Sequence, residues 1–223
     1  MNGNRYSFDE EAALLYDAEP PHFEDAHFDS LLAQLNEALP GNGSLSIRYN
    51  EFAKQFVIPK EKLDTVFKEA IAEARKRTSR YITLPKNENF KLEFVTDKSW
   101  SGYNYYQGKS QSLIQINTDL PIFIQRAVDL ACHEGYPGHH VYNVLLEKKL
   151  VDSLGWKEFS VYPLFSPQSL IAEGSANYGI DVAFPGTERI NYEKQVLFPL
   201  AGLDVSQADR YYMILGLMDK LTY

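Results

Sequence analysis

The stretch that decides the fold is His133-Glu134-Gly135-Tyr136-Pro137-Gly138-His139-His140, which holds three of the five histidines in the chain. In the metalloprotease pattern H-E-x-x-H, two histidines one helical turn apart bind zinc, and the glutamate between them acts as general base. Here the second histidine comes two or three residues later, so a regular helix would not place it beside His133. Pro137 and Gly138 favour a bulge or kink that restores the geometry. We predict zinc ligands at His133 and His139, with His140 as the alternative to His139.

A zinc ion in a catalytic site is usually held by three protein groups, so a third ligand is needed. Cys132 is the only cysteine, which excludes a four-cysteine site and leaves histidines and carboxylates. Glu173 is the candidate, because Gly174 and Ala176 on the same predicted helix would allow a close approach of two helices. Asp181 lies near the same face and could orient a ligand histidine. The competing interpretation gives the histidines only capping and hydrogen-bonding roles.

The segment Glu173-Gly174-Ser175-Ala176-Asn177-Tyr178 completes a pair of motifs. Together the two motifs resemble the signature of the bacterial domain-of-unknown-function 885 family, which is similar to gluzincin metallopeptidases. The resemblance implies a zincin-like fold and these site residues: zinc ligands His133, His139 or His140, and Glu173, with Glu134 as catalytic base. The family often has Trp where Ser175 stands and an acidic residue where Ile180 stands. Its members are usually much longer, which implies that this chain covers part of the family fold.

Composition and charge exclude several classes of protein. The chain has 223 residues, 44% hydrophobic and 23% charged, as is usual for folded domains. The formal net charge of -8 argues against a nucleic-acid partner, because phosphate binding needs clustered positive charge. The basic cluster from Arg75 to Arg80 is interpreted as a helix end. Without a long apolar stretch or an export signal, we expect no membrane partner and a cytoplasmic location, unless the chain belongs to a longer exported protein.

Hydrophobic periodicity indicates one α+β, predominantly helical domain over residues 1–223. Residues 1–88 form a helical scaffold in this interpretation, beginning with a capping box at Ser7 and Glu10. Residues 89–223 would hold a small antiparallel sheet beside the metal-binding helix, because Phe90 to Phe94 alternate and Leu113 to Ile116 form an apolar run. The predicted helices cover 28–39, 63–74, a segment from Pro121 to Leu146 broken near Pro137, 170–183, 191–200 and 208–221.

The predicted function is a zinc-dependent hydrolase, most directly a metallopeptidase acting on a peptide or a small amide. Glu134 would take a proton from water and return it to the leaving amine. Tyr178 and Tyr211 are candidates for stabilising the developing oxyanion. The strand Leu113–Asn117 could hold an extended peptide by edge pairing. A zinc hydrolase of a non-peptide amide or ester and a non-catalytic metal-binding module remain the alternatives.

Overall fold

The computed structural model describes Gly3 and residues 5–221 and contains ten α-helices and three strands in these ranges. In chain order they are α1 (Phe8–Tyr16), α2 (Asp25–Ala38), α3 (Leu45–Ala53), α4 (Leu63–Thr78), β1 (Asn89–Val95), β2 (Gly102–Gly108), β3 (Gln111–Asn117), α5 (Gln125–Leu130), α6 (His139–Leu146), α7 (Pro167–Ala183), α8 (Glu188–Tyr192), α9 (Phe198–Ala201) and α10 (Ala208–Asp219). Short 3-10 and π-helical turns extend several of these helices. The predominantly helical α+β class is confirmed.

The chain divides into two compact units. The first comprises Met1–Val57 and Leu203–Tyr223, and the second comprises Ile58–Gly202. The division differs from the boundary expected at residue 88. Helix α4 belongs to the second unit because it packs against α5, α7 and the turn that carries His133. In the described part of the chain, no helix combines the length and apolar character that crossing a membrane requires.

The first unit consists of α1, α2, α3 and α10. The predicted capping box is confirmed, since Ser7 N donates to Glu10 Oε2 at 2.8 Å and Glu10 N donates to Ser7 Oγ. Helix α3 was not predicted, and Ser44 caps its first turn through the backbone N–H of Ile47. Tyr211 is 2% exposed and stacks on Phe56 with ring centroids 3.9 Å apart. These aromatic side chains form part of the core of this unit.

In the second unit, α4 buries one face through Val66, Phe67, Ala70 and Ala74. Its basic C-terminal end is neutralised by carboxylates of the same unit. Arg77 pairs with both Glu73 and Glu188. Arg75 pairs with Glu88. These ion pairs support the interpretation of the cluster as a helix end.

The sheet is mixed, with strand order β1-β3-β2. Strands β2 and β3 form an antiparallel hairpin, whose turn residues Lys109 and Ser110 have φ values of 55° and 62°, as a tight two-residue hairpin turn requires. Strand β1 pairs with β3 in parallel. The expected antiparallel sheet is therefore only half right, because residue alternation predicts strands but not their order. Since β3 is central, the expected edge pairing at Leu113–Asn117 is wrong, and β2 is an edge strand.

Candidate metal centre

The turn that carries His133 extends α5 and is wider than an α-helix. Tyr136 N donates to Ala131 O at 2.9 Å, a π-helical bond that ends the helix. The chain then folds back, Gly138 N donates to Cys132 O at 2.8 Å, and α6 begins at His139. A Cβ at Gly138 would lie 1.9 Å from His133 O, so only glycine fits this approach. The predicted irregularity is present, and it separates two helices.

This backbone path brings His133 and His139 together, while α7 supplies Glu173. Glu173 Oε2 lies 3.3 Å from His133 Nε2, and Glu173 Oε1 lies 3.3 Å from His139 Nε2. One ligand atom from each of the three residues falls within 4.8 Å of the others. The three side chains therefore form a group that could hold a metal ion, and they are the predicted set with His139 as the second histidine.

Asn177, one turn after Glu173 on α7, orients His133. The Nδ1 atom of His133 lies 2.9 Å from Asn177 Oδ1, and because that oxygen only accepts hydrogen bonds, Nδ1 carries the proton. The lone pair of a neutral ring is then on Nε2, the atom that faces Glu173. Asp181 was predicted to have this orienting role, but it is exposed near the end of α7. Asn177 belongs to the second motif, yet no role was predicted for it.

His139 is held in the form that binds a metal. Burial, together with the charge of His133, lowers the pKa of the His139 ring, and Glu173 opposes the shift only in part. The two rings are perpendicular, with centroids 4.6 Å apart. A neutral imidazole at each position presents its nitrogen lone pair to a cation.

His140 lies outside this group. Its side chain is fully buried, with Nδ1 2.8 Å from Ser112 Oγ and Nε2 3.0 Å from Glu88 Oε2. Burial lowers the pKa of this ring and thus favours the neutral form, so Nε2–H donates to the carboxylate and Nδ1 accepts from the serine. Because both nitrogens are engaged in the core, the alternative assignment of His140 as a metal ligand is wrong.

Glu88 joins both ends of the segment that carries His139. It lies just before β1, and its fully buried carboxylate accepts from Tyr136 Oη at 2.7 Å as well as from His140. Its other oxygen accepts two hydrogen bonds from Arg75, one of them from Nε at 2.9 Å. Tyr136 and His140 are thereby tied to one carboxylate. This role of Glu88 was not predicted, because no sequence pattern links it to residues 48 and 52 positions later.

Helix α7 reaches the histidines through small residues, of which only Ala176 was expected. Gly174 has nothing within 4 Å of a Cβ built on it, whereas a Cβ at Gly179 would lie 2.9 Å from Pro137 Cγ. Ala172 and Ala176 are buried on the same side of the helix. The close approach predicted at Gly174 and Ala176 thus occurs at Ala172, Ala176 and Gly179.

Glu134 is 5% exposed and lies beside β2, where a Cβ at Gly102 would approach Glu134 Oε1 to 3.1 Å. Burial, and next the charge of Glu173, raise the pKa of its carboxyl to about 7, with a smaller opposing effect from Arg126. Asn104 Nδ2 donates to the backbone carbonyl of Glu134 at 2.7 Å. The carboxyl is therefore poised to gain or lose a proton near neutral pH.

A cavity of about 430 Å³ connects these groups, since His133, Glu134, His139 and Glu173 all line it. Residues Gly102 to Tyr106 of β2 also line the cavity. Neither predicted oxyanion tyrosine is among the described residues that line the cavity. Tyr178 is 68% exposed on α7, and Tyr211 lies in the core of the first unit. The tyrosines that do line it are Tyr103, Tyr105, Tyr106, Tyr142 and Tyr162.

Two of these five hydroxyls donate to other side chains. Tyr106 Oη donates to Glu147, and Tyr162 Oη donates to Ser169 Oγ at 3.0 Å. Tyr103, Tyr105 and Tyr142 are the remaining cavity tyrosines.

Comparisons with protein-family models, with curated proteins and with solved structures found no match for this chain.

Proposed function

We propose that the chain is a zinc-dependent hydrolase and, more specifically, a metallopeptidase. The observation that carries the proposal is the convergence of His133, His139 and Glu173, with one ligand atom of each within 4.8 Å of the others, in a cavity that Glu134 also lines. The resemblance of the two motifs to the domain-of-unknown-function 885 family supports the same assignment.

The donor set fits zinc. Two imidazole nitrogens and one carboxylate are the ligands of many catalytic zinc sites, which leave a fourth position open. Two atoms about 2.0–2.1 Å from one tetrahedral zinc are about 3.3 Å apart, and each histidine Nε2 lies 3.3 Å from one of the two oxygens of Glu173. When bound, zinc would polarise a carbonyl and lower the pKa of water. His133, His139 and Glu173 would hold it.

Glu134 would act as general base. Its pKa of about 7 lets the carboxylate accept a proton from the attacking water and donate it later to the leaving group at physiological pH. Gly102 leaves room for the carboxylate, since a Cβ there would lie 3.1 Å from Glu134 Oε1. Tyr103, Tyr105 and Tyr142 are better candidates than Tyr178 for stabilising developing negative charge, because they line the same cavity.

A peptide substrate is favoured over a small ester by the strand that lines the cavity. That strand, β2, lies at the edge of the sheet, and an edge strand offers backbone N–H and C=O groups that can pair with an extended peptide. The residues from Gly102 to Tyr106 line the cavity, which gives room for several substrate residues beside the metal group.

The test combines metal content with hydrolysis of panels of peptides, amides and esters. We expect one zinc per chain, sharply lower zinc affinity in His133→Ala and Glu173→Ala, and zinc retained in Glu134→Gln with hydrolysis reduced at least about 100-fold. Asp181→Asn, an exposed carboxylate on the same helix as Glu173, serves as the control and should keep both properties.

Each alternative gives a different result. Full zinc occupancy in Glu173→Ala would remove this residue from the ligand set. Hydrolysis unchanged in Glu134→Gln would refute its role as base. Esters cleaved without peptides would favour the non-peptide hydrolase, and zinc bound with nothing cleaved would favour the non-catalytic module.

A further inference from the structure

A second cavity, of about 370 Å³, lies next to the first. Tyr106, Asn143 and Tyr162 line both cavities, so the two cavities share these side chains as a common wall. Glu147, two helical turns beyond His139, contributes a carboxylate to the second cavity. The second cavity is therefore an extension of the candidate active site along β2 and α6.

The lining of this cavity is suited to a cation. Among the described residues that line it, Glu147 is the only one with a formal charge, and none is Lys, Arg or His. Tyr106, Phe159 and Tyr162 supply aromatic rings, whose faces attract cations. Leu146 and Val151 add apolar surface that could cover the methylene groups of a long side chain.

The carboxylate of Glu147 is fixed in place but lacks a cationic partner. Tyr106 Oη and the backbone N–H groups of Lys109 and Ser110 donate to it. Burial tends to raise the pKa of Glu147, but these hydrogen bonds outweigh burial and lower it, so the group is charged at neutral pH. The charge of nearby Lys148 also lowers the pKa of Glu147, but the ammonium group of Lys148 forms its ion pair with Asp152.

We propose that the second cavity is a substrate subsite for a lysine or arginine side chain and that Glu147 determines this specificity. The inference rests on the proposed peptidase function and names the class of substrate, a peptide with a cationic residue near the bond that is cleaved. A guanidinium or ammonium group would complete the hydrogen bonding of the carboxylate, which can accept about four hydrogen bonds and already has three.

The spacing sets where the cationic residue stands. Glu147 lies eight positions after His139, which corresponds to about 12 Å along the helix axis. An extended peptide advances about 3.3 Å per residue, and a lysine side chain adds further reach. The cationic residue therefore lies two or three positions from the scissile bond.

The first experiment uses the zinc-loaded chain and pairs of peptides that differ only by lysine or norleucine at one position. We expect the chain to prefer lysine in kcat/KM by about 10-fold at a position two or three residues from the cleaved bond. Glu147→Gln should lose this preference, measured as the ratio of kcat/KM for the lysine and norleucine peptides in that variant. Glu158→Gln removes an exposed carboxylate next to Phe159 that does not line the cavity and should keep the preference. Phe159→Ala leaves the hydrogen bonds of Glu147 intact and should weaken the preference for lysine.

A second experiment tests the subsite without catalysis. The metal-free chain is titrated with N-acetyl-lysine methylamide and N-acetyl-norleucine methylamide, and binding is followed by NMR. Tighter binding of the lysine compound that disappears in folded Glu147→Gln supports the subsite, even if no peptide is cleaved and the peptidase proposal fails. Equal binding of the two compounds, or a lysine preference that survives in Glu147→Gln, overturns the subsite whether or not peptides are cleaved.

Discussion

Replacing Glu88 should damage both the stability of the chain and its metal group. In Glu88→Ala, Tyr136 Oη and His140 Nε2 lose their acceptor, and both side chains are at most 3% exposed. A buried donor left unsatisfied costs about 1–3 kcal/mol, while Arg75 is half-exposed and can turn to water. We therefore expect the free energy of unfolding to fall by about 2–6 kcal/mol, the sum for the two buried donors.

The metal group should respond because Glu88 holds both sides of His139. Without it, Tyr136 and His140 are no longer tied to one point, and the ring of His139 loses its fixed position. We expect zinc affinity to fall about 10- to 100-fold, the usual effect of losing a group that orients a ligand. Glu88→Gln keeps an acceptor for Tyr136 and should show a smaller loss of both properties.

Urea unfolding with a chelator present measures stability, and competition with a chromophoric chelator measures zinc affinity. The control is Asp64→Asn, which breaks an exposed ion pair with Lys68 and should change the unfolding free energy by less than about 1 kcal/mol. If Glu88→Ala matches this control in stability, the hydrogen bonds to Glu88 do not stabilise the fold. If stability falls but zinc affinity does not, Glu88 supports the core without positioning His139.

Three further predictions concern the same region. His139→Ala should abolish zinc binding in a competition assay, while His140→Ala should keep zinc with about a 10- to 100-fold loss, and the opposite ranking would contradict the assignment. In a urea titration, Gly138→Ala should lower the unfolding free energy by about 1–3 kcal/mol, because its Cβ would meet His133 O. Gly174→Ala has open space around its Cβ and should be neutral or stabilising. Hydrogen bonds from Tyr136, Arg75 and His140 outweigh burial and lower the pKa of Glu88. In urea titrations the metal-free chain should therefore lose stability as the pH falls below 4.5, the ordinary pKa of a glutamate. Constant stability down to about pH 3 would contradict this prediction.

Local signals predicted the parts of the fold and site that depend on nearby residues. The helices α4, α7 and α10 follow from apolar spacing, and the first turn of α1 follows from Ser7 and Glu10. His133, His139 and Glu173 were identified because their residue types and order are typical of metal sites, although 33 or more residues separate the glutamate from the histidines. In each case a short pattern carries the physical constraint.

The missed features depend on contacts between distant residues. The parallel pairing of β1 with β3 is a matter of tertiary packing, since the alternation of Phe90, Leu92 and Phe94 would suit either partner direction. Asn177 bonds to a histidine 44 positions earlier, and Glu88 bonds to residues 48 and 52 positions later. A lone asparagine or glutamate has no pattern that distinguishes such a role from an exposed position.

The two adjacent histidines show why spacing alone left the ligand open. Successive residues on a helix point about 100° apart, so His139 and His140 at the start of α6 must face different surroundings. Gly138 donates its N–H to Cys132 O and, having no Cβ, leaves room for His133 O. It thereby fixes where α6 begins and which histidine faces the cavity. His140 then points into the core, where Glu88 can accept its Nε2–H. One histidine is thus available for a metal because the other anchors the helix that carries both.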